Sequence, residues 1–231
     1  MKLPVILITL LIFLTLPAVS AEPGQSTPAA MNFKGKEEDL AIRAKLEAQI
    51  QNLTSDAEAR KKLMYDAKRR ITLCKACHGE DGNSVAANVP SLAGQNPVYL
   101  VDQFMRFGDG RRDDFTMSSL ARAINDEDKI RLAIYFSEQE IKPAGGGRPE
   151  LMQRGKERYQ LFCVECHGED GRGAKQGYAR LAGQRPEYIV KMLKEFKNQT
   201  GRRSNPWMTA RANVLSETDM QAVATYLANM Q

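Results

Sequence analysis

The sequence predicts an all-α protein built from two tandem helical units, and two observations carry that prediction. Apolar residues recur at helical spacing, and no segment shows the sustained period-two alternation of a strand. A long string also repeats: "CKACHGEDGNS" from Cys74 returns as "CVECHGEDGRG" from Cys163, an offset of 89. At the same offset "LAGQ" at Leu92 matches "LAGQ" at Leu181, Pro97 matches Pro186, and Tyr99 matches Tyr188. The offset then becomes 91, pairing Gly110-Arg111-Arg112 with Gly201-Arg202-Arg203 and Tyr135 with Tyr226. Two residues are therefore inserted between these anchors, near the end of a helix.

Each element has a local reason. A first helix runs from the capping signature Ser55-x-x-Glu58 toward Cys74, with a counterpart from about Pro149 to Cys166. The Gly-, Asn- and Pro-rich stretch through Pro90 reads as irregular loop. A helix starts at Pro97, a favoured first-turn residue, with Leu100, Phe104 and Phe107 on one face. The last helix of the first unit follows Asn125 and shows Ile130 and Ile134. Its counterpart follows Ser216-x-x-Asp219 and shows Met220, Val223 and Leu227. "KPAGGGRP" from Lys142 is a linker. The domains expected are 55–142 and 150–231, joined by 143–149.

Residues 22–54 have no partner in the repeat. "EPGQSTPAAMN" reads as flexible. "KGKEEDLAIRAKLEAQIQNL" reads as an amphipathic helix carrying Leu40, Leu46, Ile50 and Leu53, suited either to packing on the first domain or to docking a partner. Residues 1–21 have the layout of a secretory signal peptide: Lys2, an apolar run from Leu3 to Leu16, then Ser20 and Ala21. The run is shorter than the ~20 residues of a spanning helix, and Pro17 interrupts its end. Export with cleavage after about Ala21 is expected. The formal charge of +5 is too mild to argue for nucleic acid, and no basic run is interleaved with aromatics.

Four Cys and two His make up the whole complement of these residues, and the two repeated strings contain all six. In an exported chain two disulfides would be the plain expectation. A His directly after each Cys-x-x-Cys points instead to covalent c-type haem attachment, in which two thiols add to the porphyrin vinyls and the imidazole ligates iron. Cys74 and Cys77, like Cys163 and Cys166, lie one helical turn apart, so both sulfurs can face one edge of a flat macrocycle. A zinc ribbon would place its Cys pairs about 15–20 residues apart, and a thioredoxin-like site needs a strand-helix-strand setting that this chain lacks. His78 and His167 are the expected proximal ligands of two haem c groups.

Unless another chain contributes one, a sixth ligand comes from Met, Lys, Tyr or water, because no His or Cys is spare. Met117 and Met208, at offset 91, match between the units in polar, loop-like surroundings, "DDFTMSSL" and "NPWMTARA". They are the favoured axial ligands. Met105, Met192 and Met220 read as core residues on helix faces.

Together these motifs resemble the dihaem cytochrome c4 group of class I cytochromes c, from about Ser55 to Met230. The string from Cys74 is joined by "PSLAGQ" and "FGDGRRDDFTM", and the string from Cys163 by "RLAGQ", "GRRSNPWM" and "LSETDMQAVATYL". The resemblance implies two small helical domains with one haem c each, His/Met ligation and periplasmic electron transfer. It also implies that the Pro90 carbonyl orients His78. The second unit has Ala179 at that offset, leaving the role to a backbone carbonyl without the proline. Redox proteins are the implied partners, a quinol-cytochrome c reductase-type donor and a terminal oxidase among them, with peripheral membrane association as an accompanying expectation.

Filled sixth positions favour an electron carrier over an enzyme, since neither iron would keep a site for substrate. The rivals are a dihaem enzyme, such as a peroxidase or a sulfur-compound dehydrogenase, and an electron-transfer subunit of a larger complex. Charge adds a docking hypothesis. Residues 54–142 hold 14 Lys plus Arg against 14 Asp plus Glu, whereas residues 143–231 hold 14 against 9, with Lys191, Lys194 and Lys197 as the expected docking face for an acidic partner.

Overall fold

Helices start at Pro97 and after Asn125 and Ser216 as the sequence picks out, whereas those after Asp56, Asp114 and Asn205 start where it does not place them. The computed structural model describes residues 33–173, 177–203 and 205–231, and from Phe33 onward they form one compact unit. The described residues contain helices and no strand: α1 (Phe33–Thr54), α2 (Ala57–Arg70), α3 (Thr72–His78), α4 (Pro97–Gly108), α5 (Phe115–Ala123) and α6 (Asp126–Ser137). After a 3-10 turn at Pro149–Leu151 come α7 (Met152–Phe162), α8 (Val164–His167), α9 (Pro186–Asn198), α10 (Pro206–Asn213) and α11 (Glu217–Ala228). The all-α reading holds. The segment expected to carry the signal peptide and the flexible start, residues 1–32, lies outside the described residues. No described helix is long and apolar enough to cross a membrane.

Asn96 caps α4 by accepting from the Tyr99 N–H, Asn125 caps α6, and Ser216 and Asp219 form a complete capping box on α11. At α2 the reading needs correction. Asp56 is the cap, its carboxylate accepting from the Ala59 N–H at 2.7 Å. Because α1 runs as far as Thr54, Ser55 lies in the bend between two helices, and its hydroxyl donates back to the Asn52 carbonyl at 2.8 Å. The helix expected to run to Cys74 also breaks at Ile71, and its counterpart breaks at Cys163. Ile71 is fully buried, so the break falls where a core side chain anchors the chain. The two-residue insertion falls at a helix end as expected: α9 has 13 residues against 12 in α4, and Gln199 follows in the left-handed conformation.

Two hydrophobic clusters form the interior. The first gathers Leu63, Ala67 and Ile71 with Val101, Phe104, Leu132 and Phe136. The second gathers Tyr159, Ile189, Leu193, Leu215, Met220, Val223 and Leu227. Of the two readings of the N-terminal helix, the structure displays packing: Leu46 and Ile50 of α1 enter the first cluster, while Leu40 and Leu53 stay exposed. The helix also touches the second half, since Arg43 donates to the Gly177 carbonyl at 3.1 Å and lies 5.7 Å from the Tyr178 ring centroid.

The halves join through buried polar contacts. Arg112 and Arg203, equivalent in the repeat, both donate to Gln103 Oε1, at 2.7 and 2.8 Å. Each guanidinium stacks on an equivalent ring, Phe107 and Phe196, at 4.3 and 4.5 Å. Arg112 also donates to the Tyr188 hydroxyl at 2.9 Å and approaches Met192 Sδ at 3.5 Å. Met192 is thus buried as expected, but it faces a guanidinium at the join.

One acidic residue ties down the second half. Burial alone would raise the Asp219 pKa. Hydrogen bonds from Arg154, Ser216 and Arg158 outweigh it and hold the carboxyl well below the usual carboxylate range. A depressed pKa stabilises the fold fully above the unfolded value of about 4, and that contribution is lost progressively as pH falls from there through the lower folded value. Asp219→Asn should cost about 2 kcal/mol at pH 7 and flatten the fall in melting temperature below pH 4. An unchanged melting temperature at pH 7 would refute this account of the network.

Candidate haem sites

Each repeated string forms a short helix ending in a buried histidine. In α3, Cys74 is half-buried against the first cluster, Cys77 is exposed and His78 is buried. In α8 and the residue before it, Cys163 packs against the second cluster, Cys166 is half-buried and His167 is buried. All four thiols are free, and no group of three His, Cys, Asp or Glu among the described residues could hold a metal ion. Gly79 and Gly168, at φ 87° and 78°, turn the chain away after each His. A Cβ on Gly79 would lie 2.2 Å from the Asn83 carbonyl oxygen, so only glycine fits there.

The histidines are oriented identically. His78 Nδ1 lies 2.8 Å from the Pro90 carbonyl, and His167 Nδ1 lies 2.8 Å from the Ala179 carbonyl. A carbonyl can only accept, so Nδ1 carries the proton in both rings and Nε2 keeps its lone pair. Burial lowers both imidazole pKa values, which keeps the rings neutral. Burial likewise raises the Cys74 thiol and pushes Cys163 up to about 12. The proline expected to serve His78 does so through its backbone, and alanine does the same for His167.

The methionines need a correction of setting. Met117 and Met208 lie in the first turns of α5 and α10, not in loops. The polar neighbours that suggested loops are caps: Asp114 Oδ1 accepts from the Met117 N–H and Asn205 Oδ1 from the Met208 N–H, both at 3.0 Å. Met117 packs on the cluster that Cys74 joins, and Met208 on the cluster that Cys163 joins. Asp114, the α5 cap, acts electrostatically on His78. In the second half Arg211 of α10 reaches Glu165 of α8 at 3.4 Å. Both methionine helices therefore lie beside the attachment motifs. Among the core candidates, Met105 is half-buried and Met220 fully buried.

Each half thus offers two thiols, an imidazole whose Nε2 keeps its lone pair, and a thioether packed on the same apolar cluster as the first thiol. This donor set fits haem c.

A family model described as cytochrome c matches residues 152–231. Cytochrome c4 of Pseudomonas aeruginosa is 34% identical over 171 residues, which are 68% of this chain and 84% of that protein. The chain belongs to the cytochrome c4 family. The crystal structure of reduced recombinant cytochrome c4 from Pseudomonas stutzeri superposes with a TM-score of 0.65 at 30% identity, covering 76% of this chain and 99% of that one. A protein named thiosulfate dehydrogenase electron acceptor, from Thiomonas intermedia, is 34% identical over 67% of this chain and 77% of its own length. As a member of the cytochrome c4 family the chain is a dihaem c-type electron-transfer protein, and two haem c groups match its two donor sets.

Sequence reasoning missed the residues that join the halves. Gln95, Gln184, Arg112 and Arg203 are buried, and all four bond across the join or to a shared residue there. The signal was present: "LAGQ" and "GRR" recur in both units. A polar side chain repeated beside apolar ones is worth testing as a buried contact.

Proposed function

We propose that the chain is a periplasmic electron carrier taking up and passing on one electron at a time at each of two haems. The iron of the first is held by His78 and Met117 and that of the second by His167 and Met208. Cys74 with Cys77, and Cys163 with Cys166, form the thioether links. In this reading residues 55–142 and 150–231 are the two cytochrome domains, 143–149 the linker, and 1–21 a cleaved signal peptide. The observation that carries it is the duplicated donor set, with each imidazole kept neutral and turned by a backbone carbonyl.

Haem c supplies a one-electron ferric/ferrous couple. The protein's part is to hold the ligands still and dry. Both imidazoles are fixed at Nδ1, and each methionine is fixed by a cap on its own N–H. Ligands that do not move between oxidation states keep the reorganisation small, and a thioether favours the ferrous form. The donor would be a quinol-cytochrome c reductase-type complex and the acceptor a terminal oxidase.

A second reading has an observation in its favour. The relative named thiosulfate dehydrogenase electron acceptor suggests a sulfur-compound dehydrogenase as the donor. The expected lysine docking face is partly met within the chain: Lys191 lies 3.9 Å from Glu195, Lys194 3.1 Å from Glu217, and Lys197 donates to the Leu215 carbonyl.

Covalent attachment is tested directly. Denatured holoprotein should keep haem staining on a gel. Cys74→Ala or Cys163→Ala should remove one thioether link and lower the yield of that haem, leaving the other half stained. Complete loss of pigment from the denatured parent protein would overturn the attachment reading.

A further inference from the structure

The same peptide groups that orient the histidines are gripped from the opposite half. The Pro90 carbonyl accepts from His78 Nδ1, and the other end of that peptide bond, the Ser91 N–H, donates to Gln184 Oε1 at 2.8 Å. Gln184 Nε2 returns a bond to the Ser91 carbonyl at 2.9 Å. The second half mirrors this. The Ala179 carbonyl accepts from His167 Nδ1, and the Arg180 N–H donates to Gln95 Oε1 at 2.6 Å, with Gln95 Nε2 donating to the Arg180 carbonyl at 2.9 Å. Gln95 and Gln184 are 6% and 5% exposed, so these bonds lie largely away from bulk solvent. The two glutamines occupy equivalent places in the repeat, and each reaches across to the other unit.

We infer that Gln95 and Gln184 are crossed positioning residues, each setting the ligand strength of the histidine in the opposite half and thereby the potential of the opposite haem. The inference rests on the proposed ligation by His78 and His167. An amide is conjugated, so withdrawing charge at its N–H concentrates negative charge on its carbonyl oxygen. Hydrogen bonds in such a chain strengthen one another, by about 10–30% per bond, and more effectively where water is excluded. A stronger pull on Nδ1–H gives the imidazole more anionic character, makes Nε2 a better donor and favours the ferric state. Removing the Gln184 acceptor therefore weakens the His78 bond and favours the ferrous state in the first half, and Gln95 has the matching effect on the second.

The test uses full-length holoprotein labelled with 15N-histidine. In the reduced, diamagnetic form, the Nδ1–H signals of His78 and His167 are assigned by backbone connectivity. They are then followed through a redox titration, so that each imidazole reports its own iron. Gln184→Met keeps the side-chain volume and removes the acceptor. It should move the His78 Nδ1–H signal upfield and leave that of His167 in place. The ferrous-to-ferric ratio of the first haem at a fixed potential should rise roughly two- to fivefold. Gln95→Met should do the reverse pairing. Gln184→Glu keeps an acceptor for the Ser91 N–H, so its His78 signal should stay at or downfield of the parent position. It also serves if the methionine variant does not fold. Signals unmoved by either glutamine change, equal movement of both, or movement in the glutamine's own half would each overturn the inference alone. A parent protein whose two imidazoles show no haem ring-current shift would overturn the ligand reading, and this inference with it.

Discussion

Met117→Ala is expected to remove the weak near-infrared sulfur-to-iron band of one haem and leave the other haem's spectrum unchanged. Met208→Ala should do the same for the second haem. The physical basis is the donor count: the proposed ligation uses all four Cys and both His, and Met117 and Met208, at equivalent repeat positions, pack on the clusters that Cys74 and Cys163 join. Without the thioether the iron is five-coordinate or binds water. The ferrous state loses a ligand that favoured it, so that haem's potential falls. The opened position should also bind carbon monoxide, which the parent protein should resist. Met105→Ala is the control. Met105 is half-buried on the first cluster, so its loss should cost about 2 kcal/mol of stability, the low end for such truncations, without touching ligation. Both haems staying spectroscopically intact in Met117→Ala would mean that another group fills the sixth position, and the case for a closed carrier would have to be rebuilt.

Gly155→Ala should lower the melting temperature of the holoprotein by several degrees, although alanine is the better helix former. Gly155 lies in α7 where that helix crosses α11, and a Cβ built there would sit 2.1 Å from the Ala222 carbonyl oxygen and 2.8 Å from Tyr226 Cβ. The first of these partners is backbone, so relief requires the helices to separate. The helix-propensity gain of Gly→Ala is about 1 kcal/mol. Overpacking typically costs about 1–3 kcal/mol, and the upper end applies where backbone must move, so strain wins. Separation would also loosen Tyr159, whose hydroxyl donates to the Gly168 carbonyl directly after His167. Thermal unfolding followed by far-ultraviolet circular dichroism reads the effect, and Gly155→Leu should fail to assemble the second half. A melting temperature equal to or above the parent's in Gly155→Ala would show that the crossing has room to spare.

The sequence by itself determined whatever is local. The Asn96, Asn125 and Ser216 caps lie within three residues of the groups they serve, so helix starts were legible. The attachment motifs were legible because their chemistry is confined to five consecutive residues, and the insertion in α9 because two repeats can be aligned. Tertiary structure decided what depends on groups far apart in the chain. That α1 runs as far as Thr54 made Asp56 the cap instead of Ser55, and the packing of Leu46 and Ile50 chose between two readings of that helix. Met117 and Met208 stand in helices because their polar neighbours satisfy N–H groups, an arrangement that composition alone reads as loop. Ala179 serves His167 through a carbonyl that every residue type possesses, so its identity carries no signal. The glutamine contacts span 85 and 93 residues and take effect only when the two halves face each other. Side-chain identity is written in the sequence, but a backbone acceptor and a partner across an interface exist only once the chain has folded.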